Sequence, residues 1–202
     1  DLFLGGTHTT TTLLEWTMAE LLHNPPILAK AKQELSKIPP HQIVQEQDIS
    51  RLPYIVAVIK EALRLHPIAP ILVPHRTEQE VEIHGYTIPK HTQVFVNAWS
   101  ILRDPTHWDD PASFKPDRFL NSDIDFRGKD FKYIPFGAGR RICPGSSLAM
   151  RMVSLMVANL VHNFDWELPN GLKPEDLDMN DGLGMTLHKH EPLVVIPVNH
   201  VA

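Results

Sequence analysis

A mainly α-helical fold with small β-sheets is predicted by three features of this 202-residue chain. Long runs carry apolar residues at helical spacing, short β-branched runs lie between glycine and proline turns, and a proline-rich stretch over 104–145 shows neither period. Residues 2–23 read as one helix, with Leu13, Leu14, Trp16, Met18, Leu21 and Leu22 supplying its apolar positions. Asn24-Pro25-Pro26 ends it, since proline lacks the backbone donor and disfavours helix in the residue before it. Residues 27–37 form a second, amphipathic helix ahead of Pro39-Pro40. A third runs from Pro53 to Leu65 and stops at His66-Pro67. Strands are expected over 71–73, 81–83 and 93–97. So much structureless chain as 104–145 is uncommon in a compact domain and is usually functional. Ser146 or Ser147 is the expected N-cap of a helix reaching about Phe164, and strands near 185–187 and 193–196 close the chain. There are no internal repeats, low-complexity segments or domain boundaries.

Composition narrows the classes of function. A net charge of −5 argues against a nucleic-acid binder, and no basic run contradicts that. The longest apolar run, Met152 to Val161, is too short to span a membrane and reads as a buried helix. No signal peptide is read at the front. Asp1-Leu2-Phe3-Leu4 is already periodic without a cap, so the expectation is a sequence that continues upstream.

The only cysteine, Cys143, sits in Phe136-Gly137-Ala138-Gly139-Arg140-Arg141-Ile142-Cys143-Pro144-Gly145. One thiol rules out an intrachain disulfide, a multi-cysteine zinc site and a four-cysteine iron–sulfur cluster. It leaves a structural thiol, a nucleophile or a single axial metal ligand. Gly137 and Gly139 permit a tight loop that brings backbone close to a flat ligand, and Arg141 adds a fixed cation. The helix that follows turns its N–H groups and positive dipole end toward the sulfur, which favours an anionic ligand atom there.

This run resembles the haem-ligand loop of the cytochrome P-450 haem-thiolate monooxygenases, Phe-x-x-Gly-x-Arg-x-Cys-x-Gly, at all five specified positions: Phe136, Gly139, Arg141, Cys143 and Gly145. A chance match is on the order of one in ten thousand at average residue frequencies. The resemblance implies Cys143 as the metal ligand of haem b, held noncovalently because no Cys-x-x-Cys-His motif is present. It further implies that Phe136, Gly137, Arg141 and Gly145 form the cofactor loop, and that Arg76, on the strand after the third helix, pairs with a haem propionate.

Two further patterns keep the family's order. Glu61 and Arg64 share one face of an otherwise apolar helix, and burial of that pair demands further partners. Arg118, in Lys115-Pro116-Asp117-Arg118-Phe119, can supply one. By resemblance the three form a structural Glu–Arg–Arg triad beneath the haem. Gly5-Gly6-Thr7-His8-Thr9 resembles the oxygen-binding helix, written Gly-x-acid-Thr. Consecutive glycines within a helix suggest a widened turn or a ligand against the backbone. The resemblance places Thr9 at the threonine that orients water and protons for O–O cleavage. His8 stands where the family has Asp or Glu. Imidazole can still relay a proton, so Thr9 and His8 are the expected catalytic pair, with more peroxide released per oxygen than a His8→Asp variant would give.

The resemblance covers essentially the whole chain. It implies the C-terminal part of the cytochrome P-450 fold, from oxygen-binding helix to C-terminal strands, as one partial catalytic domain over 1–202. The N-terminal anchor and first helices are expected upstream. Phe136 to Gly145, with Arg140-Arg141-Ile142-Cys143-Pro144-Gly145, looks like the plant branch of the family, and Leu148-Ala149-Met150-Arg151-Met152 with the tail from Gly171 to Leu187 is similar to the geraniol 8-hydroxylase-like plant enzymes. The implied substrate is small, apolar and terpenoid-like, touching Leu4, Gly5, Ile68, Ile71, Leu72 and Met185. The implied partners are O2 and an NADPH-dependent cytochrome reductase, at the cytosolic face of the endoplasmic reticulum membrane, reached only through the upstream anchor. Lys129, Lys132 and Arg140 near the loop suit either an acidic electron donor or a solvated rim. His188 and His190 read as surface residues. Two alternatives stay open: a non-catalytic haem-binding fragment or pseudogene product, and isomerase or dehydratase chemistry without O2, against which Thr9 argues.

Overall fold

The computed structural model describes residues 2–40, 42–184 and 186–199, apart from the side chains of Leu2, Leu4 and Asn199. The helices are α1 (Leu2–His23), α2 (Pro25–Leu35), α3 (Pro53–Leu65), a short α4 (Ala98–Ile101) and α5 (Ser146–Asn163). The strands are β1 (His75–Arg76), β2 (Val81–Ile83), β3 (Tyr86–Ile88), β4 (Gln93–Val94), β5 (Phe164–Glu167), β6 (Asp181–Leu183), β7 (Leu187–Lys189) and β8 (Ile196–Asn199). They pair antiparallel as β1–β4, β2–β3, β5–β8 and β6–β7, four separate ribbons rather than one sheet.

Local chemistry explains where the boundaries moved. Helix α2 starts at Pro25 rather than 27, because its two prolines occupy the first turn, where a missing N–H leaves nothing unpaired. Helix α3 also starts on a proline, and its next two N–H groups donate to the Glu34 carboxylate from α2, at 2.9 and 3.0 Å. That is a tertiary cap no local pattern announces. The expected serine cap of α5 is not made: Gly145 occupies the N-cap and Ser146 is already helical. Residues 71–73 are a turn, not a strand: the Leu72 N–H donates to Ala69 O at 3.1 Å and Leu72 is left-handed at φ 49°. Strand β4 ends at Val94, short of 97, because Asn97 caps α4 through its side chain. The last strand is 196–199 instead of 193–196, and β7 begins at Leu187. The β2–β3 hairpin turns on His84 and Gly85, both at positive φ, the two-residue turn that matches strand twist.

Helix α3 is buried on both faces, which is why it reads as apolar nearly all round. One face joins α1, α2 and α5 in a core that includes Trp16, Leu21, Ile55, Ile59, Val157 and Val161. The other packs Ala57 against Ala98, Leu102, Trp108, Phe119 and Tyr133. Burial pushes the Tyr133 phenol well above its usual range, so its O–H stays a donor, to Lys60 O at 2.8 Å. The two cores pin the irregular stretch to α3 from one side and the C-terminal ribbons to α1 from the other. Among the described residues no helix is long and apolar enough to cross a membrane.

Candidate functional site

Beneath the site, Glu61 and Arg64 are wholly buried. The Glu61 carboxylate accepts from Arg64 Nε and Nη2 at 2.8 and 2.9 Å, from Arg118 Nε at 3.0 Å and from the Lys115 N–H at 2.8 Å. A buried ion pair roughly breaks even against the cost of dehydrating its charges, so extra hydrogen bonds must decide whether it holds. Here they come from the irregular stretch. Arg64 Nη1 donates to Leu102 O and Pro111 O at 2.9 and 2.8 Å, and Arg118 Nη1 to Asp109 O at 3.0 Å. Arg64 and Arg118 also lie over the Trp108 ring, 5.4 and 5.9 Å from its centre. Chain with neither α-helix nor strand, carrying a 3-10 turn at Pro116–Phe119, is thus tied down by side chains of α3.

Asp110 belongs to this network. Hydrogen bonds from Lys115 and Ser113, then the charges of Lys115 and Arg118, hold its carboxyl below the usual aspartate range. A lowered folded-state value stabilises the fold above the unfolded value of about 3.9 and is lost as pH falls through the folded one. Asp110→Asn, which tolerates the φ of 45° there, should therefore be slightly less stable than the parent at neutral pH and show a flatter acid limb, the two converging as pH falls below about 4. An acid limb as steep as in the parent would contradict this.

The Cys143 loop closes on itself: the Cys143 N–H donates to Phe136 O at 2.9 Å, and Gly137 and Gly139 are left-handed at φ 76° and 67°. Between this loop and α1 lies a cavity of about 450 Å³. Cys143, Phe136, Gly137 and Arg141 form one wall, and Gly5, Thr9 and Leu13 of α1 the other. Ile68, Leu72 and Val73 close a third side. A Cβ on Gly5 would meet nothing within 4 Å, and one on Gly137 only Leu72 Cδ1 at 3.8 Å, so both glycines leave room on the cavity faces. Gly145 is not in the lining; it sits beside the sulfur, its would-be Cβ 3.9 Å from Cys143 Sγ. Arg141 also borders a neighbouring hollow with His75, Arg76 and Arg140, so Arg76 stands at the rim rather than in the cavity.

On α1 the Thr9 hydroxyl donates to Gly5 O at 2.6 Å, and the hydroxyls of Thr11 and Thr12 both donate to His8 O. Such back-bonding to earlier carbonyls bends helices. His8 turns away from the cavity lining, and its Nε2 meets Thr186 Oγ1 at 2.9 Å. Ile71 is corrected as a contact: the turn at Leu72 sends it outward, half exposed. The Leu4 side chain and Met185 lie outside the described residues. His188 is corrected too, being partly buried with its ring against Gly182 and Gly184.

Sequence reasoning missed Leu13, Leu63 and Ala149 in the lining. Leu13 was discoverable, one turn beyond Thr9 on the same face. Gly128 was not. At φ 70° its would-be Cβ would fall 2.9 Å from both Ala138 Cα and Gly137 O, so the 128 turn presses directly on the cysteine loop. Gly128→Ala should displace that loop and destabilise the fold by about 1–3 kcal/mol through overpacking and left-handed strain, read as a lowered unfolding midpoint. An unchanged midpoint would show that the contact yields at no cost.

A family model for Cytochrome P450 matches residues 1–195. This chain belongs to the cytochrome P450 family. It is 56% identical over 199 residues to cytochrome P450 76T24 of Catharanthus roseus, covering 98% of this chain and 40% of that protein. It is 55% identical over 194 residues to geraniol 8-hydroxylase of Swertia mussotii, covering 96% and 39%. A solved structure of a zebra fish cytochrome P450 with abiraterone superposes with a TM-score of 0.88 at 35% identity, covering 100% of this chain and 46% of that one. The P450 chain described here thus spans about 40% of the length of the curated relatives it matches. The family's cofactor is haem b, and the site fits it: an apolar slot suits the macrocycle, a thiol stands in one wall for the iron, and arginines at the rim suit two carboxylates.

Proposed function

We propose that the protein containing this chain is a haem-thiolate monooxygenase that places one oxygen atom from O2 into a C–H bond of a small apolar, terpenoid-like substrate. The observation that carries this reading is a single cavity with the Cys143 thiol in one wall and Gly5 and Thr9 in the opposite one. Cys143 Sγ would ligate the iron, and Arg141 and Arg76 would pair with the propionates, since guanidinium stays charged and binds carboxylate bidentately. When bound, haem b supplies O2 activation and C–H oxygenation, the second oxygen atom leaving as water. Thr9 Oγ1 holds a proton at the distal wall, and Gly5 O is its resting acceptor at 2.6 Å. Leu13, Leu63, Ile68 and Leu72 exclude water and offer only dispersion contacts, which supports an apolar substrate without choosing one. The geraniol 8-hydroxylase at 55% identity supports the terpenoid class.

Electrons would come from an NADPH-dependent flavoprotein reductase, at the cytosolic face of the endoplasmic reticulum membrane. The reduced, carbon monoxide-bound protein tests the core of this reading. A strongly red-shifted Soret band is expected from thiolate ligation. Its absence in haem-loaded protein would favour a non-catalytic remnant.

A further inference from the structure

The contact between His8 and Thr186 lies outside the haem cradle and is built from an unusual residue of this chain. Thr186 is 6% exposed, at the end of the β6–β7 hairpin. The next residue makes two more tertiary bonds: the Leu187 N–H donates to Ile68 O at 3.0 Å, and Leu187 O accepts from Trp16 Nε1 at 3.3 Å. His8 and Trp16 are both on α1, about 12 Å apart along the axis at 1.5 Å per residue. Ile68 belongs to the cavity side that faces α1. The hairpin therefore spans two cavity walls, fastened to α1 at two points and to the Ile68 segment at one. A wall held at only one point along α1 can pivot; a second fastening near Gly5 and Thr9 fixes the separation beside the distal groove.

We propose that His8 is a positioning residue: its imidazole ties α1 to Thr186, and through that brace sets the spacing of the cavity walls that grip the apolar substrate. The proton-relay role expected from its position in the sequence does not need Thr186; the brace does. The proposal rests on the haem-thiolate reading for what the cavity holds, but the brace itself is measurable without haem.

Four variants separate the two roles. His8→Ala and Thr186→Val each remove the bond, the second without touching the imidazole. His8→Gln reaches Thr186 with a side-chain amide and cannot relay a proton. The double variant His8→Ala/Thr186→Val tests coupling. Hydrogen exchange at the Leu187 amide, read with and without haem, and the dissociation constant of a small monoterpene alcohol are the two measurements. The net worth of one hydrogen bond predicts about 2- to 10-fold faster exchange and about 2- to 10-fold weaker binding in each single variant. His8→Gln should match the parent, and the double variant should be no worse than either single. A silent Thr186→Val, a His8→Gln as impaired as His8→Ala, or additive effects would overturn the brace. Loss of the red-shifted carbon monoxide band in the parent would overturn the haem-thiolate reading and leave the exchange result standing.

Discussion

Cys143→Ser is expected to abolish the red-shifted carbon monoxide band and to reduce oxygenation to background, while the fold survives. The reason is a division of labour within one residue. The backbone N–H of Cys143 holds the loop by donating to Phe136 O at 2.9 Å, and serine keeps that bond. Cys143 lines the cavity, and Gly145 beside it leaves the sulfur room, since even a Cβ built there would stay 3.9 Å from Sγ. Removing it should therefore change the stability of the haem-free protein by less than about 1 kcal/mol. The soft, electron-donating ligand is what an alcohol cannot replace. A serine variant that keeps the parent's band would mean that another atom holds the iron.

Glu61→Gln carries the largest expected effect on stability, a loss of about 3–5 kcal/mol, the usual cost of leaving a buried charge uncompensated. Against a total of about 5–15 kcal/mol this threatens the fold itself. The amide keeps the carboxylate's shape but leaves Arg64, wholly buried, and Arg118, nearly so, facing a neutral group. Replacing the pair by apolar residues should not rescue it. The carbonyls of Leu102, Pro111 and Ser113 would lose the donors of Arg64, and the Lys115 N–H its acceptor. Denaturant unfolding measures the difference, and a cost under about 1 kcal/mol would show that the triad is not what orders the 104–145 stretch.

Helices α1, α2, α3 and α5 were legible because each carries its own apolar period, sharpened where proline punctuates it: α3 begins and ends where Pro53 and His66-Pro67 place it, whereas the four-residue α4 was not read. The ribbons were read less well. Strands of two to four residues take their register from partners far along the chain, as when Arg76 pairs with Gln93 or Trp166 with Pro197. Strand β5 was missed for that reason; β3 and β6, three residues each in local hairpins, were missed because so short a run shows no clear alternation. At the site, Cys143, Arg141 and Thr9 announced themselves by motif. Gly128 and Thr186 did not, because their meaning lies in the loop and the helix they touch.

By itself the sequence determined which groups are candidates: a lone thiol framed by glycines and arginine, a threonine after paired glycines, and a structural carboxylate with two guanidiniums. These are local patterns, and chain connectivity is enough to state them. Which way a side chain turns was decided only in three dimensions. Ile71 points outward because Leu72 adopts a left-handed turn. His8 faces Thr186, 178 residues away in sequence, instead of the cavity that Thr9 lines. A helix advances about 100° per residue, so His8 and Thr9 point in different directions, and the packing of α1 against the C-terminal hairpin decided that Thr9 lines the cavity and His8 does not.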